Sequence, residues 1–298
     1  MYTIMIAPEC APVAKVGGLA DVVQGLSWEL AIRGNEIEII LPKYDCMRYD
    51  HIWGLTRCFS DLQVPFHDRM IHCDVYFGEV HGLKCFFIEP HSEHGFFDRG
   101  MYYGAHDDDV RFTFFAKAAL EFMLKADKHP DIIHCHDWQT GLVPVMLYET
   151  YTRLGMTHPR VCYTLHNVHH QGITGDHVLR QAGLNPAHFM SPDRLLDDAR
   201  PGAVNLMKGG IVFSNFVTTV SPRYMDEIRF SDLGHGLQGV LNTHAAKTGG
   251  VLNGVDYTFW NPEIDPHIPC PYSPERIDDK FVNKTALRDR LLLREEYK

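Results

Sequence analysis

Short apolar runs alternate with helical repeats along most of this chain, and polar turns separate them. Residues 2–7 have almost no polar face, the pattern of a strand buried on both sides of a parallel sheet. Leu19, Val22, Val23, Leu26 and Leu30 then recur at three- and four-residue spacing, which predicts a helix over 19–33. Gly34-Asn35 stops that helix, and residues 36–41 supply the next strand of a right-handed βαβ unit. Residues 75–80 and 85–88, joined through His81-Gly82, predict a β-hairpin inserted into the alternation. Asp107-Asp108-Asp109 opens a helix to about 125, where acidic residues complement the helix dipole. Strands are predicted at 131–135, 160–165, 216–220 and 249–252, with a helix over 139–151 and another capped by Ser221-Pro222. The pattern predicts an α/β fold with a doubly wound, mostly parallel, Rossmann-like sheet.

After Trp260 the pattern changes. Pro262, Pro266, Pro269, Pro271 and Pro274 mark an extended stretch, and 274–296 is charged and helical in character. This divides the chain into a domain over 1–260, with its hairpin insertion near 75–88, and a proline-rich linker over 261–298.

Composition narrows the partners. The 298 residues are 45% hydrophobic and 22% charged, enough for a substantial core. A net charge of −10 argues against nucleic acid and anionic membranes, which reward basic surfaces. The longest apolar stretch, 112–126, is interrupted by Lys117, Glu121 and Lys125, so no bilayer-spanning segment is expected. The eight cysteines show no C-x-x-C spacing and read as reduced thiols. With no secretory signal before the first strand, a cytoplasmic location is expected; a plastid location is compatible with removal of a transit peptide.

In an open α/β sheet, ligands gather at the carboxyl ends of the strands. Three polar clusters fall there: Lys15-Val16-Gly17-Gly18-Leu19-Ala20-Asp21, His134 to Thr140, and His166 to Gly172. In the first, a strand turns through two glycines into a helix, aiming backbone N–H groups at a point that suits an anion, with the Lys15 charge beside it. Asp21 is an odd companion for a phosphate and points to a ligand that is part anion, part polyol, such as a nucleotide-sugar. The histidines invite a metal, but no zinc spacing such as H-E-x-x-H is present, so none is expected. The first turn has no G-x-G-x-x-G, which weakens a nicotinamide-dependent oxidoreductase. Asp21 and Asp137 are the pair a glycosidase would use, but the glycines and Lys15 would then lack a purpose.

At these residues the chain resembles the ADP-glucose-using glycogen and starch synthases of glycosyltransferase family 5. The matches are Lys15 to Asp21, Tyr103-Gly104 with Asp107 and Arg111-Phe112, and His136-Asp137-Trp138-Gln139-Thr140-Gly141-Leu142. They continue through His166-Asn167, Gln171-Gly172, Val220-Ser221-Pro222, Gly234-His235-Gly236-Leu237, and Val251 to Asp256 with Trp260-Asn261-Pro262. Val16, where many bacterial members carry Thr, is similar to the cyanobacterial and plastid branch. Asp108 stands where the family usually has Asn.

The resemblance implies the N-terminal, acceptor-side half of a two-domain B-type glycosyltransferase, with 261–298 leading into a donor-binding domain. It implies a truncated chain that needs the missing C-terminal half of the same enzyme for activity. The reaction implied is transfer of glucose from ADP-glucose to the non-reducing end of an α-1,4-glucan or malto-oligosaccharide, with retention and with neither metal nor cofactor. Lys15, Asp137 and His166 would be the catalytic groups. Lys15 and Gly18 would meet the donor diphosphate, Asp21, Asp137, His166 and Asn167 would face the transferred glucose and the acceptor end, Tyr103 would line the acceptor side, and Gly17 and Gln139 would be further substrate-binding residues. The alternative is a non-catalytic glucan-binding or regulatory module derived from such a synthase.

Overall fold

The computed structural model describes residues 1–293. Strand β1 (Tyr2–Ile6) leads through a long loop into α1 (Gly18–Ile32) and then β2 (Glu36–Pro42). An antiparallel ribbon follows, formed by β3 (Trp53–Phe66), β4 (Arg69–Val80) and β5 (Leu83–His91). Next come α2 (Asp108–Lys125), β6 (Ile132–His136), α3 (Leu142–Met146) and β7 (Arg160–Leu165). The two-residue strands β8 (Ile173–Thr174) and β9 (Val204–Asn205) flank α4 (His177–Ala182) and α5 (Pro186–Phe189). Then follow α6 (Leu206–Phe213), β10 (Phe216–Thr219), α7 (Pro222–Phe230), α8 (Gln238–Thr243) and β11 (Thr248–Gly250).

The main sheet runs in the order β11-β10-β7-β6-β1-β2-β5-β4-β3. From β11 to β5 every neighbouring pair is parallel, while β5-β4 and β4-β3 are antiparallel. The chain leaves β1 toward β2 on one side and returns with β6 on the other. The topological switch point, where an α/β sheet opens a crevice for ligand, therefore lies between the carboxyl ends of β1 and β6.

Chain units divide at Asn253: 1–253 forms one and 254–298 the other. The first holds the core, in which β1 and β2 are almost wholly buried. Helix α2 is buried along most of its length, with its charges satisfied internally. Lys117 Nζ donates to the Ala182 carbonyl at 2.7 Å, and Glu121 accepts from Tyr151 Oη at 2.8 Å. Fully buried Arg111 bonds Asp108 at 2.8 Å and the Phe96 carbonyl at 3.0 Å, and it also reaches the carbonyl of Tyr102, which fixes the loop that carries Tyr103. In the second unit the described residues form turns and a helix, α9 (Lys280–Arg290), and Asn283 bonds both the N–H and the carbonyl of Cys270 at 2.8 and 2.7 Å.

Several elements differ from the sequence expectation, which also placed nothing at β8, β9, α4, α5, α6 or α8. β3 was not expected: it alternates cleanly only over Leu62, Val64 and Phe66, is broken by register shifts, and carries Pro65, tolerable because β3 is the edge strand. The helix expected over 139–151 is interrupted. A 3₁₀ turn at Trp138–Thr140 precedes α3, which passes into a π-turn at Leu147–Tyr151. Gly141, between the 3₁₀ turn and α3, has helical dihedrals, and a Cβ there would sit 2.2 Å from the Leu206 carbonyl oxygen, so only glycine fits. The last strand, expected over 249–252, is Thr248–Gly250.

Gly141→Ala is accordingly expected to lose about 1–3 kcal/mol in urea unfolding with an unchanged m-value, because the clash is with backbone. Gly17→Ala, whose Cβ meets nothing within 4 Å, is the contrasting control and is expected to stay within about 0.5 kcal/mol.

Candidate active site

The loop after β1 folds around Glu9. This side chain is 4% exposed, and its Oε2 accepts from the N–H groups of Val16 and Gly17 at 2.6 and 3.0 Å. Its Oε1 accepts from Tyr103 Oη at 2.6 Å. The expectation of free loop donors is corrected here: an internal carboxylate already holds these two, as their convergent geometry invites. Sequence reasoning missed Glu9; the only signal was a lone acid just past a buried parallel strand. Helix α1 begins at Gly18 with Gly17 at its N-cap and no side-chain cap. Neither Gly17 nor Gly18 has a positive φ, and a Cβ on either would meet open space. Local packing does not demand these two glycines.

Lys15 Nζ pairs with Asp21 Oδ1 at 2.7 Å, both side chains close to half exposed. An exposed pair of this kind contributes about 0–1 kcal/mol, so an incoming anion displaces Asp21 at small cost.

On the other side of the switch point, β6 ends at His136 and the chain turns at Asp137 with φ +55°. Left-handed backbone is unusual for a residue with a side chain. It is held by the Asp137 N–H, which donates to the Thr164 carbonyl at 3.0 Å, and by its carboxylate. Asp137 Oδ1 accepts from the backbone N–H of His166 at 2.7 Å and of Asn167 at 3.4 Å. Burial pushes the Asp137 carboxyl up to about 7; the two backbone donors pull the other way, and the nearby Glu9 charge adds to the rise.

Three imidazoles line the ends of β6 and β7. His134 and His136 stack with centroids 4.3 Å apart, and His136 Nδ1 lies 3.1 Å from His166 Nε2. His134 Nε2 lies 2.7 Å from Thr164 Oγ1, which is 2.9 Å from Thr218 Oγ1 on β10. Burial pulls His134 down to about 4 and His166 to about 3, and His136 falls well below the ordinary histidine value. All three are neutral at physiological pH.

The structure thus brings Asp137, His166 and Asn167 into direct contact, and Lys15 with Asp21. Glu9 ties Tyr103 to the Val16–Gly17 backbone; its charge reaches Asp137, whose charge in turn reaches Tyr103. The Asn167 side chain caps its own turn by accepting from His169 N–H at 2.9 Å. Gln139 is buried, with no hydrogen-bond partner for its Oε1. Gln171 and Gly172 serve structure. Gln171 bonds the Val168 and His235 carbonyls and Asn205, and Gly172, at φ +63°, lies against Trp138. Among the described residues, one group of side chains brings potential metal-ligand atoms together, Asp74, Glu89 and His91. Its carboxylates are already paired with Arg57 and Lys43.

The starch synthase catalytic domain family matches residues 3–243. This chain belongs to that family. It is 68% identical to glycogen synthase 1 of Nitrosococcus oceani over 298 residues, which is all of this chain and 61% of the relative. It is 63% identical to glycogen synthase 2 of Methylococcus capsulatus over 294 residues, 98% of this chain and 60% of the relative. The chain therefore spans about three fifths of the length of the relatives it matches. The catalytic domain of starch synthase IV from Arabidopsis thaliana, solved bound to ADP and acarbose, superposes with a TM-score of 0.92 at 43% identity, covering 100% of this chain and 60% of that one. The α/β, mostly parallel architecture is that of a B-type glycosyltransferase domain. No helix among the described residues of this family member is long and apolar enough to cross a membrane.

The raised Asp137 pKa predicts a pH-dependent stability. Between about pH 4 and 7 the native state keeps a proton that the unfolded state has lost, so this group destabilises the fold increasingly as pH rises. Asp137→Asn keeps an acceptor oxygen for the two N–H groups. Its stability gain over wild type in denaturant melts is expected to be near zero at pH 4 and to grow to several kcal/mol, at most about 4, above pH 7. The three histidines have the opposite dependence and cancel in this difference. A flat difference across the window would refute the assignment.

Proposed function

We propose that this chain is the acceptor-side part of a retaining glucosyltransferase that moves glucose from ADP-glucose to the non-reducing end of an α-1,4-glucan. The observation that carries this reading is the pairing, across one switch point, of an exposed ammonium beside an uncapped helix start with a buried, proton-poised carboxylate. The kinship with glycogen synthases and the ADP-bound Arabidopsis domain supports it.

Lys15 takes the departing diphosphate, exchanging Asp21 for a phosphate oxygen, with the N–H groups at the start of α1 adding partial positive charge. Gly17 and Gly18 leave room for that approach. Asp137, His166 and Asn167 face the transferred glucose: Asp137 stabilises positive charge developing on the sugar, while neutral His166 and the turn around it offer hydrogen bonds to hydroxyls. Tyr103 and Gln139 border the acceptor side. The remaining donor contacts come from the C-terminal portion that the longer relatives possess. The reaction needs no metal, because charge neutralisation rests on Lys15 and helix dipoles. Eight unpaired cysteines and the bacterial relatives support a cytoplasmic location.

The test uses a chimera in which this chain replaces the matching part of the Nitrosococcus oceani relative. The chimera is expected to elongate malto-oligosaccharides from ADP-glucose, and the 298-residue chain alone is expected not to. Glucan synthesis by the chain alone at an ordinary enzymatic rate would overturn the need for the second half; an inactive, folded chimera would overturn the reading itself. In the chimera, Lys15→Ala is expected to lower kcat/KM for ADP-glucose by about 10²-fold or more while leaving glucan affinity unchanged. Equal losses in both would count against the diphosphate role.

A further inference from the structure

His136 is fully buried, contacts the less buried His166, and has one ring nitrogen, Nε2, with no hydrogen-bond partner. We propose that His136 is a positioning residue: it donates from Nδ1 to Nε2 of His166 and so holds His166 in the tautomer whose own proton sits on Nδ1, ready to donate to a ligand oxygen. The ligand half of this inference rests on the glucosyl-transfer reading above; the tautomer half does not.

A neutral imidazole carries one proton on two nitrogens. The 3.1 Å contact between His136 Nδ1 and His166 Nε2 needs one proton between them, which leaves two arrangements. In the first, His166 donates from Nε2, and the His136 proton must then sit on Nε2. That would place an N–H donor in a dry interior without an acceptor, the rarer and costlier kind of orphan. In the second, His136 donates from Nδ1 and its Nε2 is left as an unused lone pair. His166 Nε2 is then an acceptor, and its proton is on Nδ1, which makes no hydrogen bond to protein among the described residues. The second arrangement buries no orphan donor. The stack against His134, itself anchored through Thr164 to Thr218, keeps the His136 ring from rotating away. His166 is the least buried of the three rings, so its Nδ1–H is the donor a ligand meets. A sugar hydroxyl or ring oxygen accepts such a donor.

Two-bond ¹⁵N–¹H correlation spectra of the 298-residue chain, with imidazole nitrogens labelled, read each tautomer without any substrate. Both His136 and His166 are expected to show a protonated Nδ1 and a bare Nε2. A His166 proton on Nε2, or rapid averaging of the two forms, overturns the proposal. His136→Asn places an amide donor near the Nδ1 position and is expected to preserve the His166 tautomer, whereas His136→Leu is expected to release it into averaging. If the Leu variant does not fold, the wild-type and Asn spectra still decide. In the chimera, His136→Leu is expected to lower kcat roughly tenfold with KM for ADP-glucose within about twofold, below the 10² to 10³ typical of removing a donor itself. Asn is expected to restore most of the loss, and an unchanged kcat in the Leu variant would overturn the positioning role. A chimera inactive before any substitution would sink the glucosyl-transfer reading and leave the spectra standing.

Discussion

The hydrogen bonds that converge on the Asp137 carboxylate hold the working end of the sheet together. Asp137 ends β6 and takes its N–H bonds from the first two residues past β7, so one side chain pins the exits of two neighbouring strands. It does so from a left-handed backbone and in a buried setting that resists its charge. A carboxylate kept under such unfavourable conditions is strain retained at a site of chemistry, which fits where functional side chains tend to sit. Removing the charge is expected to make the protein sturdier, the usual trade between stability and activity.

The surroundings of that carboxylate explain its balance. Three histidines nearby are all driven neutral by burial and offer no counter-charge, so Asp137 depends on backbone N–H groups alone. The positive charge of the β1 loop, Lys15, is close to half exposed and paired with Asp21 rather than buried in the core. Two regimes thus face each other: a dry side, where protons are fixed by geometry, and a wet side, where an ion pair exchanges partners easily.

Much of this was legible in the chain, for physical reasons. Strands such as β1, β2, β6 and β7 are buried on both faces, so their apolar runs stand out from any window of sequence. Polar clusters immediately after those runs marked Lys15, Asp137 and His166, because parallel sheets put loop chemistry at strand ends. β3 was illegible because an exposed, bulged edge strand has little need of a regular pattern. The need for glycine at 141 arises from a carbonyl 65 residues downstream, which no local window contains. Glu9 escaped for the same kind of reason: its partners are Tyr103 and a loop seven and eight residues ahead, and only folding brings them together.

Glu9 has a kinetic consequence for any anion that visits the loop. The Val16 and Gly17 N–H groups are engaged by the protein's own carboxylate, so an anion at this loop would meet the half-exposed Lys15 and the start of α1 instead. The loop is ordered before the guest arrives, which spares the entropy of arranging it, yet its hold stays loose. Whatever grip the loop has on an anion is thereby left to groups in contact with water, where partners exchange readily.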